Sequence, residues 1–107
     1  MIHIVFFEKG EHLSGFEIKG HSLFAEHGSD IVCSAVSSAA IMAANTVTEV
    51  FGESAEIKLE EGYLLFKGVK TESAQGILAG LKLHFEQLAE QYPQNITVSY
   101  KGENKDD

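Results

Sequence analysis

The sequence predicts an α+β fold: two layers, a mostly antiparallel sheet carrying two helices, in the order ββαββαβ. Three observations lead there. Short stretches of alternating apolar and polar residues come in pairs joined by glycine-containing turns, the signature of hairpins. Two longer stretches instead repeat apolar residues at intervals of three and four, the signature of helices. With 107 residues, 44% of them hydrophobic, ten glycines and one proline, the chain can bury one core without disulfide or metal staples. A single domain over residues 1–102, followed by an acidic tail at 103–107, is expected.

Residues 2–7 are rich in β-branched and aromatic types, Lys9-Gly10-Glu11 supplies turn chemistry, and Phe16 and Ile18 then alternate with Glu17 and Lys19. This is the first hairpin, and it delivers His21 at the end of its second strand. Periodicity stops over residues 20–29, where a loop is expected. Asp30 is placed to cap a helix running to about Phe51 and closed by Gly52. Cys33, Val36, Ser37, Ala40, Ile41, Ala44, Val47 and Phe51 share one stripe of it, and the opposite side is also weakly polar. Such a helix is enclosed by other elements or forms a subunit interface. The uncharged run 31–48 approaches the length of a membrane span, but it carries serines, threonines and an asparagine and continues into Glu49. A buried helix is expected, not a membrane anchor.

Residues 55–60 alternate, with Ile57 and Leu59 pointing one way and Lys58 and Glu60 the other; Glu61-Gly62 turns the chain and residues 63–69 return it, making the second hairpin. Thr71 is the expected cap of the next helix, whose stripe of Ala74, Ile77, Leu78, Leu81, Phe85, Leu88 and Tyr92 ends at Pro93. Ile96, Val98 and Tyr100 point inward from a last strand.

Eight lysine plus arginine residues against sixteen acidic ones leave a net charge of −8. That field repels phosphate backbones, which argues against direct nucleic-acid binding and for a basic protein or peptide as partner. A lone cysteine cannot form an internal disulfide, and the N-terminus lacks the pattern of a signal peptide, so a cytoplasmic location is expected.

Residues 20–37 concentrate the chemistry: the only cysteine, two of the five histidines, Gly20, Gly28 and Asp30. A thiol in the first turn of a helix sits at the positive end of the helix dipole, which favours the nucleophilic thiolate, and the unpaired amides of that turn can hold an oxyanion. His21, twelve residues before Cys33, can serve as base and then acid across the loop. Asp30 opposes thiol ionisation unless capping or His21 occupies it. Ser37, one turn beyond Cys33 on the same face, can hydrogen-bond in the site or to its own helix. The plainer readings are a buried structural cysteine and glycines that only satisfy positive φ. A metal site from His21, His27, Asp30 and Cys33 lacks any paired ligand spacing, and neither metal nor cofactor is expected. His3, His12 and His84 read as surface or core-edge residues.

Taken together, Gly20-His21, Ala25, Gly28, Asp30, Val32-Cys33 and Val36-Ser37 resemble the motif of the Prp family of ribosomal-processing cysteine proteases, and the length and acidity of the chain fit it. Ser34 stands where alanine is more usual. The resemblance implies an α+β homodimer without cofactor, in which a glycine-flanked loop covers a Cys/His dyad. Cys33 would be the nucleophile, His21 the acid/base, and Asp30, Ser37, Gly20 and Gly28 would support the dyad or the substrate. It implies removal of the N-terminal extension of large-subunit ribosomal protein twenty-seven, so the partner would be the N-terminal peptide of a basic ribosomal protein. The chain's negative charge would favour free substrate over assembled ribosome. The alternatives are a non-catalytic module that clamps the same basic peptide and a metal-dependent hydrolase.

Overall fold

The computed structural model describes residues 1–20 and 31–103. The order is β1 (Ile2–Lys9), β2 (His12–Lys19), α1 (Ile31–Asn45), a π-helical turn (Thr46–Val50), β3 (Glu56–Glu60), β4 (Tyr63–Lys67), α2 (Ser73–Gln91) and β5 (Ile96–Gly102). The expected ββαββαβ arrangement and both hairpins are present. The sheet runs β3-β4-β2-β1-β5. Its pairs are antiparallel except β1 with β5, where the chain returns from α2 to the far edge and pairs in parallel, Ile4 opposite Val98.

Alternation decides which strand residues meet the helices. Ile2, Ile4 and Phe6 of β1, Phe16 and Ile18 of β2 and Phe66 of β4 form one core with Val32, Val36, Ala40, Ala43 and Val47 of the first helical segment and Ala74, Leu78, Leu81 and Phe85 of α2. The rings of Phe6, Phe16, Phe66 and Phe85 make a continuous aromatic chain, with centroids 5.4–6.1 Å apart. Burying each such ring stabilises by about 1.5–3 kcal/mol. Ala40 and Ala43 are fully buried, and side chains this small let α1 lie close to the sheet. By length and composition the helical stretch from Ile31 to Val50 could cross a membrane, yet its buried positions 32, 36, 40, 43 and 47 recur every three or four residues and pack on the sheet.

Two local expectations need correction, the Thr71 cap and the inward Tyr100, and the end of the first helix and the edge strand add detail. The first helix runs on to Val50, close to the expected end, but its last turn, Thr46–Val50, is π-helical. The Thr46 and Thr48 hydroxyls donate to the Met42 and Ala44 carbonyls at 2.8 and 3.1 Å, competing with the backbone ladder, and the Phe51 amide reaches back five residues to the Thr46 carbonyl. Thr71 does not cap α2; Glu72 holds that position and makes no side-chain cap hydrogen bond. Ile57 and Leu59 share a face with core residues Phe66 and Leu64 by register, but β3 is the outermost strand and the helix layer leaves them 51% and 71% exposed. Along β5 burial fades from Ile96, which is buried, to Tyr100, which is exposed. At the start of the expected tail, the Glu103 amide donates to the Glu8 carbonyl at 2.6 Å and the Glu103 carboxylate accepts from the Ser14 hydroxyl. Residues 104–107 lie outside the described residues.

Thr71 serves another contact. The Glu53 carboxylate accepts from its hydroxyl and from the amides of Lys70 and Thr71 at 3.0 and 3.1 Å, tying the end of the first helical segment to the approach of α2. Burial alone raises the Glu53 pKa, but these hydrogen bonds outweigh it and hold the carboxyl below the ordinary value. A depressed folded pKa gives stability that is present above the unfolded pKa and lost as pH falls through the folded one. Glu53→Gln should therefore lower unfolding free energy by about 1 kcal/mol at neutral pH, with the difference closing below about pH 4 in denaturant titrations. A difference that persists unchanged into acid would mean that the charge is not what matters there.

Candidate active site

Cys33 is the third residue of α1, in the first turn, where backbone amides have no acceptor within the helix. It is half-buried. One face opens into a cavity of about 140 Å³ that is also lined by Val36, Ser37, Ala40 and Ile41 of α1, by Ile2, Ile18 and Gly20 at one end of the central strands, and by Leu59, Glu60, Gly62, Tyr63 and Leu64 of the β3–β4 hairpin. The cavity is thus a cleft between the N-terminal half of α1 and the second hairpin. Its floor is apolar, and its polar groups are the Cys33 thiol, the Ser37 hydroxyl and the hairpin end.

Gly20 fixes where the first hairpin hands over to residue 21. Its amide donates to the Gly62 carbonyl at 2.9 Å, which binds the end of β2 to the β3–β4 turn. Its φ is +93°, and a Cβ there would lie 2.5 Å from the Met1 carbonyl oxygen. Only glycine satisfies both requirements. The attachment point of His21 is consequently held on the wall of the same cavity as Cys33.

The hairpin wall is set electrostatically as well. The Tyr63 hydroxyl donates to Glu17 Oε2 at 2.7 Å, and Lys19 Nζ lies 3.7 Å from the other Glu17 oxygen. The hydrogen bond to Glu17, then partial burial, then the negative field of Glu17, Glu60 and Glu56 push the Tyr63 phenol above its ordinary pKa. The phenol is protonated at neutral pH, and its hydrogen bond to Glu17 fastens the start of β4 to β2.

Of the residues singled out in the sequence, Gly20, Cys33 and Ser37 are brought together on one cavity. His21, Gly28 and Asp30 fall outside the described residues, as does His27. His3, His12 and His84 are all exposed, with His3 against the Thr97 hydroxyl and His12 against Glu72. Among the described residues no group of three or more His, Cys, Asp or Glu side chains converges to hold a metal. Sequence reasoning missed the opposite wall, formed by Leu59, Glu60, Gly62, Tyr63 and Leu64. Nothing in linear spacing marks it, because it meets α1 only through sheet register; the nearest hint is the Glu61-Gly62 turn itself.

The model of a family described as cysteine protease Prp matches residues 1–97. The ribosomal processing cysteine protease Prp of Bacillus subtilis (strain 168) is 30% identical over 92 residues, covering 78% of this chain and 82% of that protein. The crystal structure of the essential ribosomal processing protease Prp from Staphylococcus aureus, in complex with a covalently linked product peptide, superposes with a TM-score of 0.87 at 25% identity over 94% of this chain and 100% of that one. A crystal structure from Streptococcus mutans gives a TM-score of 0.84 at 25% identity, covering 96% of this chain and 99% of that chain.

Gly20→Ala should reduce unfolding free energy by about 2 kcal/mol, from the positive φ and the clash with the Met1 carbonyl. Chemical denaturation measures it directly. A loss below about 0.5 kcal/mol, the level of an ordinary surface change, would show that the close approach is not a constraint.

Proposed function

The chain belongs to the family of the cysteine protease Prp, and from that premise we propose that it cuts the N-terminal extension from large-subunit ribosomal protein twenty-seven with Cys33 as nucleophile and His21 as acid and base. The observation that carries the reading is that Cys33 and Gly20, the residue to which His21 is joined, line one cleft. Relatives are named as ribosomal processing proteases, and one carries a covalently linked product peptide.

In the proposed reaction the Cys33 thiolate attacks the scissile carbonyl carbon and forms a C–S bond, while the first-turn amides of α1 hold the negative oxygen. The C–N bond then breaks, with the His21 imidazolium giving its proton to the departing amine. Water, deprotonated by the same imidazole, attacks the thioester and releases the carboxylate product, returning the proton to the site. Ser37 lies at the cleft one turn from Cys33 and is assigned to hydrogen-bonding the peptide. Asp30, Gly20 and Gly28 are assigned to supporting the dyad or the substrate.

A net charge of −8 suits a basic ribosomal-protein peptide as partner and disfavours direct contact with nucleic acid. We assign the protein to the cytoplasm, as a single protease domain over residues 1–102, working as a homodimer. The exposed apolar side chains of Met42, Val50 and Phe51 offer surface for such pairing.

Incubation of the purified protein with the extended ribosomal protein, read by mass spectrometry of the new N-terminus, should give one cut. Cys33→Ala should abolish it, and His21→Ala should slow it by about a hundredfold or more. Full activity in Cys33→Ala would overturn the assignment of the nucleophile, and full activity in His21→Ala that of the base.

A further inference from the structure

We propose that the outer edge of β3 takes the substrate peptide as a sixth strand of the sheet, hydrogen-bonded to the backbone of Ile57 and Leu59, and so delivers it extended to Cys33. The proposal rests on the protease reading above and adds to it the surface that holds the peptide outside the cleft.

β3 is one end of the sheet and among the described residues pairs with β4 alone. Which of its backbone groups point outward follows from the register. The Gly62 carbonyl is spent on the Gly20 amide, and these two residues continue the pairing of Lys19 with Tyr63. Gly62, Leu64 and Phe66 therefore turn their backbone groups to β2, while Tyr63, Leu65 and Lys67 turn theirs to β3. The partners of those three across the hairpin are Glu60, Lys58 and Glu56. The amides and carbonyls of Ile57 and Leu59 are left facing away from the sheet, and among the described residues they meet no partner.

The surroundings of this edge say what belongs there. The side chains of Ile57 and Leu59 are uncovered, an apolar pair that an added strand would shield with its own alternate side chains. Leu59 also lines the cavity that holds Cys33, so a strand paired at Leu59 lies at the wall of that cleft. β3 and its turn carry Glu56, Glu60 and Glu61 against Lys58, an acidic excess that suits a basic peptide. The opposite edge of the sheet differs. Along β5, Val98 packs against the core, and Tyr100 has Lys82 of α2 over its ring and its hydroxyl on Glu86 of the same helix. β3 has no such cover, and without proline or bulge it has the form that accepts an added strand.

Amide hydrogen exchange by NMR tests this on Cys33→Ala protein, with a synthetic peptide of the ribosomal protein's N-terminal extension that runs through the cut. With the peptide in excess, the Ile57 and Leu59 amides should exchange at least about tenfold more slowly, while the Lys58 amide, already bonded to β4, should change little. Unchanged exchange at Ile57 and Leu59 would overturn the proposal. So would slow exchange there before peptide is added, lost on dilution, since a second copy of the chain would then hold the edge. Kinetics on the active protein give a second measure. Ile57→Pro removes an outward N–H and leaves the β4 ladder intact. It should raise KM for the peptide about fivefold, the worth of one backbone hydrogen bond, with little change in kcat, and Ile57→Ala, which keeps the N–H, should raise it less. No rise in Ile57→Pro, or an equal rise in both variants, would contradict the pairing. If wild-type protein cuts neither the peptide nor the extended protein, the protease reading fails, and the exchange result then decides by itself whether the edge binds the peptide.

Discussion

The structure depends on one close backbone approach, at Gly20. There the end of β2 passes so near the Met1 carbonyl that no side chain fits, and its amide is spent on the Gly62 carbonyl of the neighbouring turn. This contact makes the two hairpins one wall. It extends the ladder of β4 with β2 by one backbone hydrogen bond, at the end of the sheet that lines the cleft beside Cys33. The Tyr63–Glu17 hydrogen bond repeats the attachment one residue further on.

Packing supplies the other wall. The fully buried Ala40 and Ala43 bring α1 down onto the aromatic core, which sets Cys33 and Ser37 at the rim and not beneath it. On the outer side of this helix Ser34, Ser37, Ser38 and Asn45 are exposed, and with them Ile41 and Met42, each about half exposed. The outermost strand shows the same pattern, since Ile57 and Leu59 reach beyond the shelter of the helices. Apolar surface left uncovered on both sides of a cleft beside a cysteine is what a peptide-cutting member of this family needs to hold its substrate.

Much of this was legible in the sequence, and the limits have physical causes. Local chemistry was readable: the two hairpins from alternation and turn glycines, α2 from its three- and four-residue spacing, and the chemical stretch from its cysteine, histidines and glycines. Competition between local contacts was not. Thr71 looks like a helix cap until Glu53, eighteen residues earlier, arrives to take its hydroxyl, and Thr46 and Thr48 look like ordinary helix residues until their hydroxyls divert carbonyls from the ladder. Long-range placement was harder still. Leu59 has the pattern of a core residue, and only the strand order, with β3 at the edge, leaves it in the mouth of the cleft beside Glu60. The parallel pairing of β1 with β5 is equally a property of the whole chain.

The central claim is that a peptide lies between α1 and the β3–β4 turn with its scissile carbonyl at Cys33. A crystal structure of the protein treated with a peptide aldehyde carrying the residues before the cut tests it most directly. A covalent bond from Cys33 Sγ to the aldehyde carbon, with the peptide in the cleft lined by Ile41 and Leu59, is the expected result. A peptide bound on another face, with the thiol unmodified, would contradict it.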